Sequence, residues 1–232
     1  MPRKRNEELN EATVEAIKQT ARRLMAEEGT NGLSIRGIAK ALELTPPAIY
    51  HYFSSLDDLT TVLIADSFNA LADALEASLH QSAAPTAAGK LFDVLLAYRQ
   101  WAVDHPVDFQ LIYGNPIPGF VAPREVTVPA VVRTFVPTVS LIDEALRTGQ
   151  LQPLAPYDQI PPPIADHLQR LIADGGYPIA TLSMYLAMIL WSHLHGIIYL
   201  ELFNHIQPNV GDVDLFYQTQ LRALLLSMGL RI

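Results

Sequence analysis

The chain has 232 residues, half of them hydrophobic and 17% charged, so it can bury a sizeable core and is not a disordered polyelectrolyte. It contains no cysteine, which excludes a disulfide framework, a thiolate metal site and a cysteine nucleophile, and fits a reducing cytoplasm. A net charge of −8 argues against indiscriminate coating of nucleic acid; residues 1–60 carry eight Lys/Arg against nine Asp/Glu and residues 61–232 eight against fifteen, so any affinity for DNA has to come from local placement of cations.

The opening MPRKRNEELN is basic, then acidic, with no apolar run behind it, unlike a secretory signal or a transit peptide. Arg3, Lys4 and Arg5 form a short basic arm with two readings, a frayed solvated terminus or a contact to phosphate or the minor groove. From about Asn10 to Glu28, Ala12, Ala16, Ile17, Ala21, Leu24 and Met25 fall on one face at helical spacing, and Gly29 suits a left-handed stop. Arg22 and Arg23 near its end serve either the helix dipole or a phosphate.

A second helix is predicted with Ser34 as N-cap and Ile35, Ile38, Ala39 and Leu42 as its buried stripe. After the turn Glu43-Leu44-Thr45, a third helix is capped by Thr45 and starts at Pro46, where a missing N–H costs nothing. It runs to Phe53, too short to be stable alone, with Ile49 and Phe53 as anchors and Pro47, Ala48, His51 and Tyr52 outward or at the edge. Ser55-Leu56-Asp57-Asp58 is a capping-box pattern opening a longer fourth helix to about His80. Two short helices around a tight turn make a helix-turn-helix able to enter a DNA groove.

Residues 10–65 resemble the N-terminal DNA-binding domain of the TetR family of bacterial transcription regulators. The resemblance rests on Ala21, Leu24, Gly29, Ser34-Ile35-Arg36, Ile38-Ala39, the run Ala48 to Phe53, and Asp58-Leu59. It implies that Arg36, Thr45, Pro47, Ala48, Tyr50 and His51 contact bases or phosphates, and Lys40 is a further candidate. Two positions depart from the family pattern. Glu43 stands where a turn glycine is usual, and Leu56 where a phosphate-contacting lysine is usual.

After a Ser/Ala/Pro/Thr-rich linker at 82–89, a helix from Gly89 to about Asp104 carries Leu91, Leu95, Tyr98 and Ala102 on one face, and His105-Pro106 stops it. A short helix to Tyr113, a loop over 114–123 and a helix from about Val126 to Thr148 follow, with Pro137 expected to kink or divide the last. Gln150 to Pro163 reads as a proline-rich loop. From Ile179 to Leu200 there is no charge. Its internal Ser, Thr and His residues, the lack of flanking Lys/Arg and the lack of a second candidate span argue against a membrane helix. A helix covered both by its own core and by a second subunit is the better account. A final amphipathic helix runs from Val213 to Met228.

This second half resembles the WHG type of C-terminal domain in the same family, through His105-Pro106, Trp191, His195-Gly196, Glu201-Leu202-Phe203, Pro208 and Leu230. Trp191 and His195 share a helix face and read either as an effector-pocket wall or, with the greater weight, as core packing with one satisfied histidine. Gly196 inside a helix points to a close helix approach, within the subunit or at a dimer seam. His193 and His195 point about 200° apart and cannot share an ion, so no metal is expected. Glu201 and His205 read as a surface pair, Asp143-Glu144 as solvated. No phosphate loop, zinc helix or nucleophile elbow is present, and no cofactor is implied.

The sequence therefore predicts an all-α protein with a three-helix helix-turn-helix module over 1–55 and a larger helical ligand-binding and dimerisation domain over 56–232. Its expected function is that of a cytoplasmic, ligand-responsive regulator, a repressor that binds a palindromic operator on double-stranded DNA. It would act as a homodimer through 178–206 and 212–229. Tyr98, Trp101, Tyr113, Trp191, His195 and Tyr199 are the candidate ligand residues for a small, mostly apolar effector. The alternatives are a relative that has lost DNA binding, and a helical ligand-binding protein or enzyme.

Overall fold

The computed structural model describes residues 2–115, 117 and 119–231, with side chains from Asn10 onward apart from Asn31. Among these the helices are α1 (Pro2–Glu28), α2 (Ile35–Ala41), α3 (Pro46–Tyr50), α4 (Leu56–Gln81), α5 (Ala87–Asp104), α6 (Pro106–Tyr113), α7 (Arg124–Arg147), α8 (Pro162–Gly175), α9 (Thr181–Leu202), α10 (Gln207–Val210) and α11 (Val213–Ser227). There is no strand among the described residues, only an isolated antiparallel bridge between Leu151 and Leu230. The all-α prediction holds.

The chain divides into two compact units. One ends at Ala70 and also takes in His105–Val131; the other comprises Leu71–Asp104 and the chain from Val132 onward. This division crosses the 55/56 boundary read from sequence, because apolar residues far along the chain complete the first core. That core joins Ile17, Ala21, Leu24 and Met25 of α1 to Ile38, Ile49, Phe53, Leu59, Leu63 and Phe68, and then to Leu111 of α6 and Ala130 of α7. A five-residue helix such as α3 has too few internal hydrogen bonds to persist, so burial of Ile49 at 0% exposure is what holds it.

Polar links inside this unit join helices distant in sequence. Arg22 Nε donates to Asp108 at 2.8 Å, and Ser67 Oγ donates to the same carboxylate at 2.5 Å. Lys18 Nζ lies 2.8 Å from Glu15 and 2.9 Å from Asp66. Arg22 is thus committed to α6, whereas Arg23 makes only an exposed pair with Glu27 one turn on.

In the second unit α5, α9 and α11 pack together around Leu91, Leu95, Leu186, Leu190, Leu194, Ile198, Leu221, Leu225 and the fully buried Tyr217, whose hydroxyl donates to the Leu95 carbonyl. Arg99 crosses the three helices. Its Nε and Nη2 form a fork to Glu201 at 2.8 and 2.7 Å, Nη1 reaches Asp214 at 2.6 Å, and the guanidinium lies 5.5 Å from the Tyr217 ring centroid. The hydrogen bonds to Glu201 hold the Arg99 pKa above its ordinary value. The expected surface pair of Glu201 with His205 is therefore corrected: Glu201 is the buried partner of Arg99.

Other sequence expectations also change. Pro137 does not divide α7, which is a single helix through both Pro129 and Pro137. Its loss of one backbone hydrogen bond is offset by the burial of Val139, Leu141, Ile142 and Ala145. Asp143 is not simply solvated; its carboxylate accepts from Ala180 N at 3.0 Å and Ser183 Oγ at 2.8 Å, which caps the start of α9. The proline-rich stretch ends at Pro162, where α8 begins, a helix not anticipated from sequence; Ile164, Leu168, Leu171 and Ile172 form its apolar stripe, with Leu168 buried. The chain end is pinned by Gln152 N to Gly229 O and Arg231 N to Gln150 O, and a side chain at Gly229 would collide with the Gln152 carbonyl.

A second helix besides α9 is also long and apolar enough to span a membrane, namely α7, contrary to the expectation of one candidate. Both carry polar side chains with protein partners. Arg133 of α7 pairs with Asp73 and Glu76 at the surface, and Ser183 and His195 of α9 bond Asp143 and Tyr98. Each helix buries one side in the unit and leaves the other exposed.

Candidate nucleic-acid interface

Ser34 starts α2 in an extended conformation, and its hydroxyl accepts from Gly37 N at 3.1 Å. A side chain at Gly37 would meet that hydroxyl at 3.0 Å, so the small residue belongs to the cap. Ile35, Ile38 and Ala39 turn inward, which places Arg36 and Lys40 on the exposed side. The turn carries Glu43 at φ +55°, a left-handed conformation that L side chains rarely adopt. The backbone demand for glycine at this turn is thus real, and Glu43 meets it at a cost in strain.

Thr45 is the N-cap residue of α3, as expected, but its side chain makes no cap hydrogen bond. The reason is local. Pro46 and Pro47 have no N–H to offer, and Ala48 N is already bonded to the Thr45 carbonyl at 2.9 Å. The Thr45 hydroxyl is left on the surface. α3 ends at Tyr50, so His51 and Tyr52 sit in the following turn, and Phe53 is the buried anchor just beyond.

Arg36, Lys40, Thr45, Pro47, Tyr50 and His51 are all exposed, Ala48 half-buried, and Tyr50 is 52% exposed despite its large ring. Tyr52 differs from its neighbours. It packs against the core, donates to Asn10 Oδ1 at 3.4 Å and presents its ring at 81° to that of His51. Ser55 Oγ then accepts from Asp58 N at 3.0 Å, and Asp58 reaches back to Ser54 N at 2.8 Å, so a reciprocal cap opens α4. Leu56, where a cation would be usual in the resembled family, is half-buried against the core. The arm side chains Arg3, Lys4 and Arg5 lie outside the described residues.

The candidate ligand residues distribute unevenly. Tyr98 is buried, and its hydroxyl lies 2.8 Å from His195 Nδ1, in a bond whose donor is set by the imidazole tautomer. His195 in turn sits 5.1 Å from Trp191, centroid to centroid, and Trp191 meets Phe135 edge-on at 5.7 Å. Burial pushes the His195 pKa below its ordinary value, which favours the neutral imidazole. Trp101 is buried in the same unit, while Tyr199 is 36% exposed and packs on Phe203. Tyr113 belongs to the first unit, between Phe68 and Phe109. Sequence reasoning missed Phe135 and the Arg99 cluster. Arg99 had a readable signal: a charge four residues after Leu95 and three before Ala102 lies on an apolar stripe and needs a buried partner.

Residues 91–224 match the tetracyclin repressor-like C-terminal domain, and residues 17–61 match the bacterial regulatory proteins of the tetR family. The chain belongs to the TetR family. It is therefore a transcription regulator with a helix-turn-helix DNA-binding domain, and its family is one of regulators rather than enzymes.

An HTH-type transcriptional regulator of Mycobacterium bovis is 29% identical over 209 residues, which is 90% of this chain and 88% of the relative. A counterpart from Mycobacterium tuberculosis matches equally. A crystal structure described as a regulatory protein is 28% identical with a TM-score of 0.75, covering 94% of this chain and 98% of that one. The TetR-family regulator PfmR from Thermus thermophilus, 14% identical with a TM-score of 0.60 over 91% of this chain and 98% of that one, shares the fold.

Proposed function

We propose that this regulator is a ligand-released repressor that binds a palindromic operator as a homodimer, with residues 1–55 reading DNA and residues 56–232 holding the dimer and the effector. The observation that carries the DNA assignment is the sorting of one short module into a buried set, Ile38, Ile49 and Phe53, and an exposed set, Arg36, Lys40, Thr45, Pro47, Tyr50 and His51. Tyr50 contacts phosphate through its hydroxyl, Arg36 and Lys40 contact bases or phosphates, and His51 bonds a base or the backbone. Two heads bring about four of these cations to the DNA, for a slope of log affinity on log salt of roughly −4 before any contribution from the arm.

Dimerisation through 178–206 and 212–229 is supported by the surface of α9 and α11. Ser192, His193, Gly196, Tyr199 and Leu200 of α9 and Phe203 just after it are exposed although the helix is nearly uncharged, and Leu215 and Leu226 of α11 are 61% and 51% exposed. Nothing lies within 4 Å of a side chain placed at Gly196, so within one subunit the glycine has no packing reason. A close approach by the same helix of a second copy supplies one.

The effector reading rests on Tyr98, Trp191 and His195, which meet beside Phe135 with one polar bond among apolar rings. A small, mostly apolar molecule that prefers one spacing of the two heads would shift the dimer away from its DNA-binding form. Selection of operators from random DNA, followed by mobility shifts and sedimentation of the complex, tests the reading. A twofold-symmetric consensus bound by two protomers is expected. Absence of any sequence-selected DNA at low salt would favour the alternative of a relative that no longer binds DNA.

A further inference from the structure

Inside the first unit, the seam between α1 and α6 holds a cavity of about 220 Å³ that neither the DNA-reading face nor the candidate effector residues use. Met25, Ala26 and Thr30 form one wall, and Pro106, Val107 and Gln110 the other. Its floor is firm, since Met25 is only 4% exposed and belongs to the core, whereas Ala26 and Pro106 at its rim are exposed. No charged side chain lines it. The groups able to hydrogen-bond are the Thr30 hydroxyl and the Gln110 amide.

The two walls are held at a fixed separation. Arg22, one turn before Ala26 on α1, is tied at 2.8 Å to Asp108, the neighbour of Val107 on α6, and Ser67 of α4 bonds the same carboxylate. Leu111, one turn after Val107, is buried in the shared core. The Arg22–Asp108 pair and the buried Leu111 therefore hold α6 on α1 beside the cavity, and closing it there would require breaking an ion pair or withdrawing a core residue.

We propose that this seam is a binding site for a small neutral molecule, largely apolar and carrying one hydrogen-bonding group. The volume sets the size: an apolar cavity of roughly 150 Å³ holds benzene, so this one takes a single ring with a short polar substituent. The lining sets the class. Met25 is an adaptable thioether wall, Pro106 and Val107 give apolar contact, and Thr30 or Gln110 bonds the polar group. A charged ligand is disfavoured, because Arg22 and Asp108 already neutralise each other and a desolvated ion would find no counter-charge. The occupied site would act on how α6 seats against α1, the helix whose Ile17, Ala21 and Leu24 support α2 and α3.

The test uses the full-length protein labelled at its methionine methyl groups, with the Met25 signal assigned by Met25→Leu, and titrates benzyl alcohol against benzoate. A saturable shift of the Met25 methyl with benzyl alcohol, at least tenfold weaker with benzoate, is expected. Ala26→Trp, which covers the mouth from an exposed position, should weaken binding at least tenfold, and Val107→Phe should do the same by filling the space from the α6 wall. A Met25 methyl that stays unmoved to the solubility limit of benzyl alcohol would overturn the proposal, as would equal binding of benzoate. So would an Ala26→Trp protein that binds as tightly as the parent. If either filled variant fails to fold, the parent titration and the other variant still decide.

Discussion

Glu43→Gly separates the two consequences of placing a carboxylate in the helix-turn-helix turn. Glu43 has φ +55°, and holding an L-residue in the left-handed region costs about 1–2 kcal/mol. Glycine removes that strain but gives the unfolded chain additional freedom worth about 0.4–1 kcal/mol. The midpoints of the two ranges leave the variant more stable by about 0.8 kcal/mol, which makes opening of the module roughly fourfold rarer. Both tryptophans lie in the second unit, so their fluorescence is blind to this change. Amide hydrogen exchange reports it instead, at Leu44 N, which donates to the Ala39 carbonyl at 2.9 Å, and at Phe53 N, which donates to the Ile49 carbonyl at 3.1 Å. Glu43→Ala is the control, since it removes the charge and keeps the strain. Both variants should bind DNA more tightly at low salt, by similar factors, while only the glycine variant exchanges more slowly. Faster exchange in Glu43→Gly, or equal slowing in Glu43→Ala, would refute the strain argument.

Three further outcomes follow from the geometry. Tyr50→Phe deletes only a hydroxyl from a residue that is 52% exposed, so its folding stability should match the parent while operator binding weakens by about tenfold, as expected for a lost hydrogen bond to a charged group. Arg99→Ala leaves Glu201, at 11% side-chain exposure, without its guanidinium, and unfolding followed by tryptophan fluorescence should show a loss of about 3 kcal/mol; Arg99→Ala with Glu201→Ala should lose less than the two single changes summed. His195 has a pKa lowered by burial, so the unfolded state binds the proton more readily. The associated stability is present above the unfolded value, about 6.5, and is lost as the pH falls below it. Stability measured between pH 7.5 and 5 should therefore fall less in His195→Asn than in the parent, and an unchanged pH dependence would contradict a buried neutral imidazole at this position.

Local chemistry was legible in the chain from the start. Ser34 before an apolar stripe, Pro46-Pro47 after a turn, Ser55 three residues before Asp58 and the charge-free run before Leu200 each depend on neighbours within a few residues. Each was found as a cap, a helix start or a core helix. The family pattern over the same positions located the DNA-reading module, because its spacing is set by how short helices pack on one another. What could not be read was any property that depends on a partner distant along the chain. Arg22 could serve a dipole or a phosphate until Asp108, 86 residues away, claimed it. Glu201 looked like a surface residue until Arg99, 102 residues away, reached it through the core.

Tertiary packing decided the remaining points. Pro137 was expected to kink or divide its helix because proline removes a hydrogen bond; it does not divide α7, because the buried stripe outweighs that local loss. His105–Val131 joins the first unit because Leu111 and Ala130 complete a core begun by α1 to α4. The sequence by itself determined most of the helices, the Ser34 and Ser55 caps and the helix-turn-helix module, since these follow from short-range periodicity and hydrogen bonding. Only the tertiary structure determined which charges are spent inside the protein and which remain on its surface, since burial and pairing depend on residues brought together by folding.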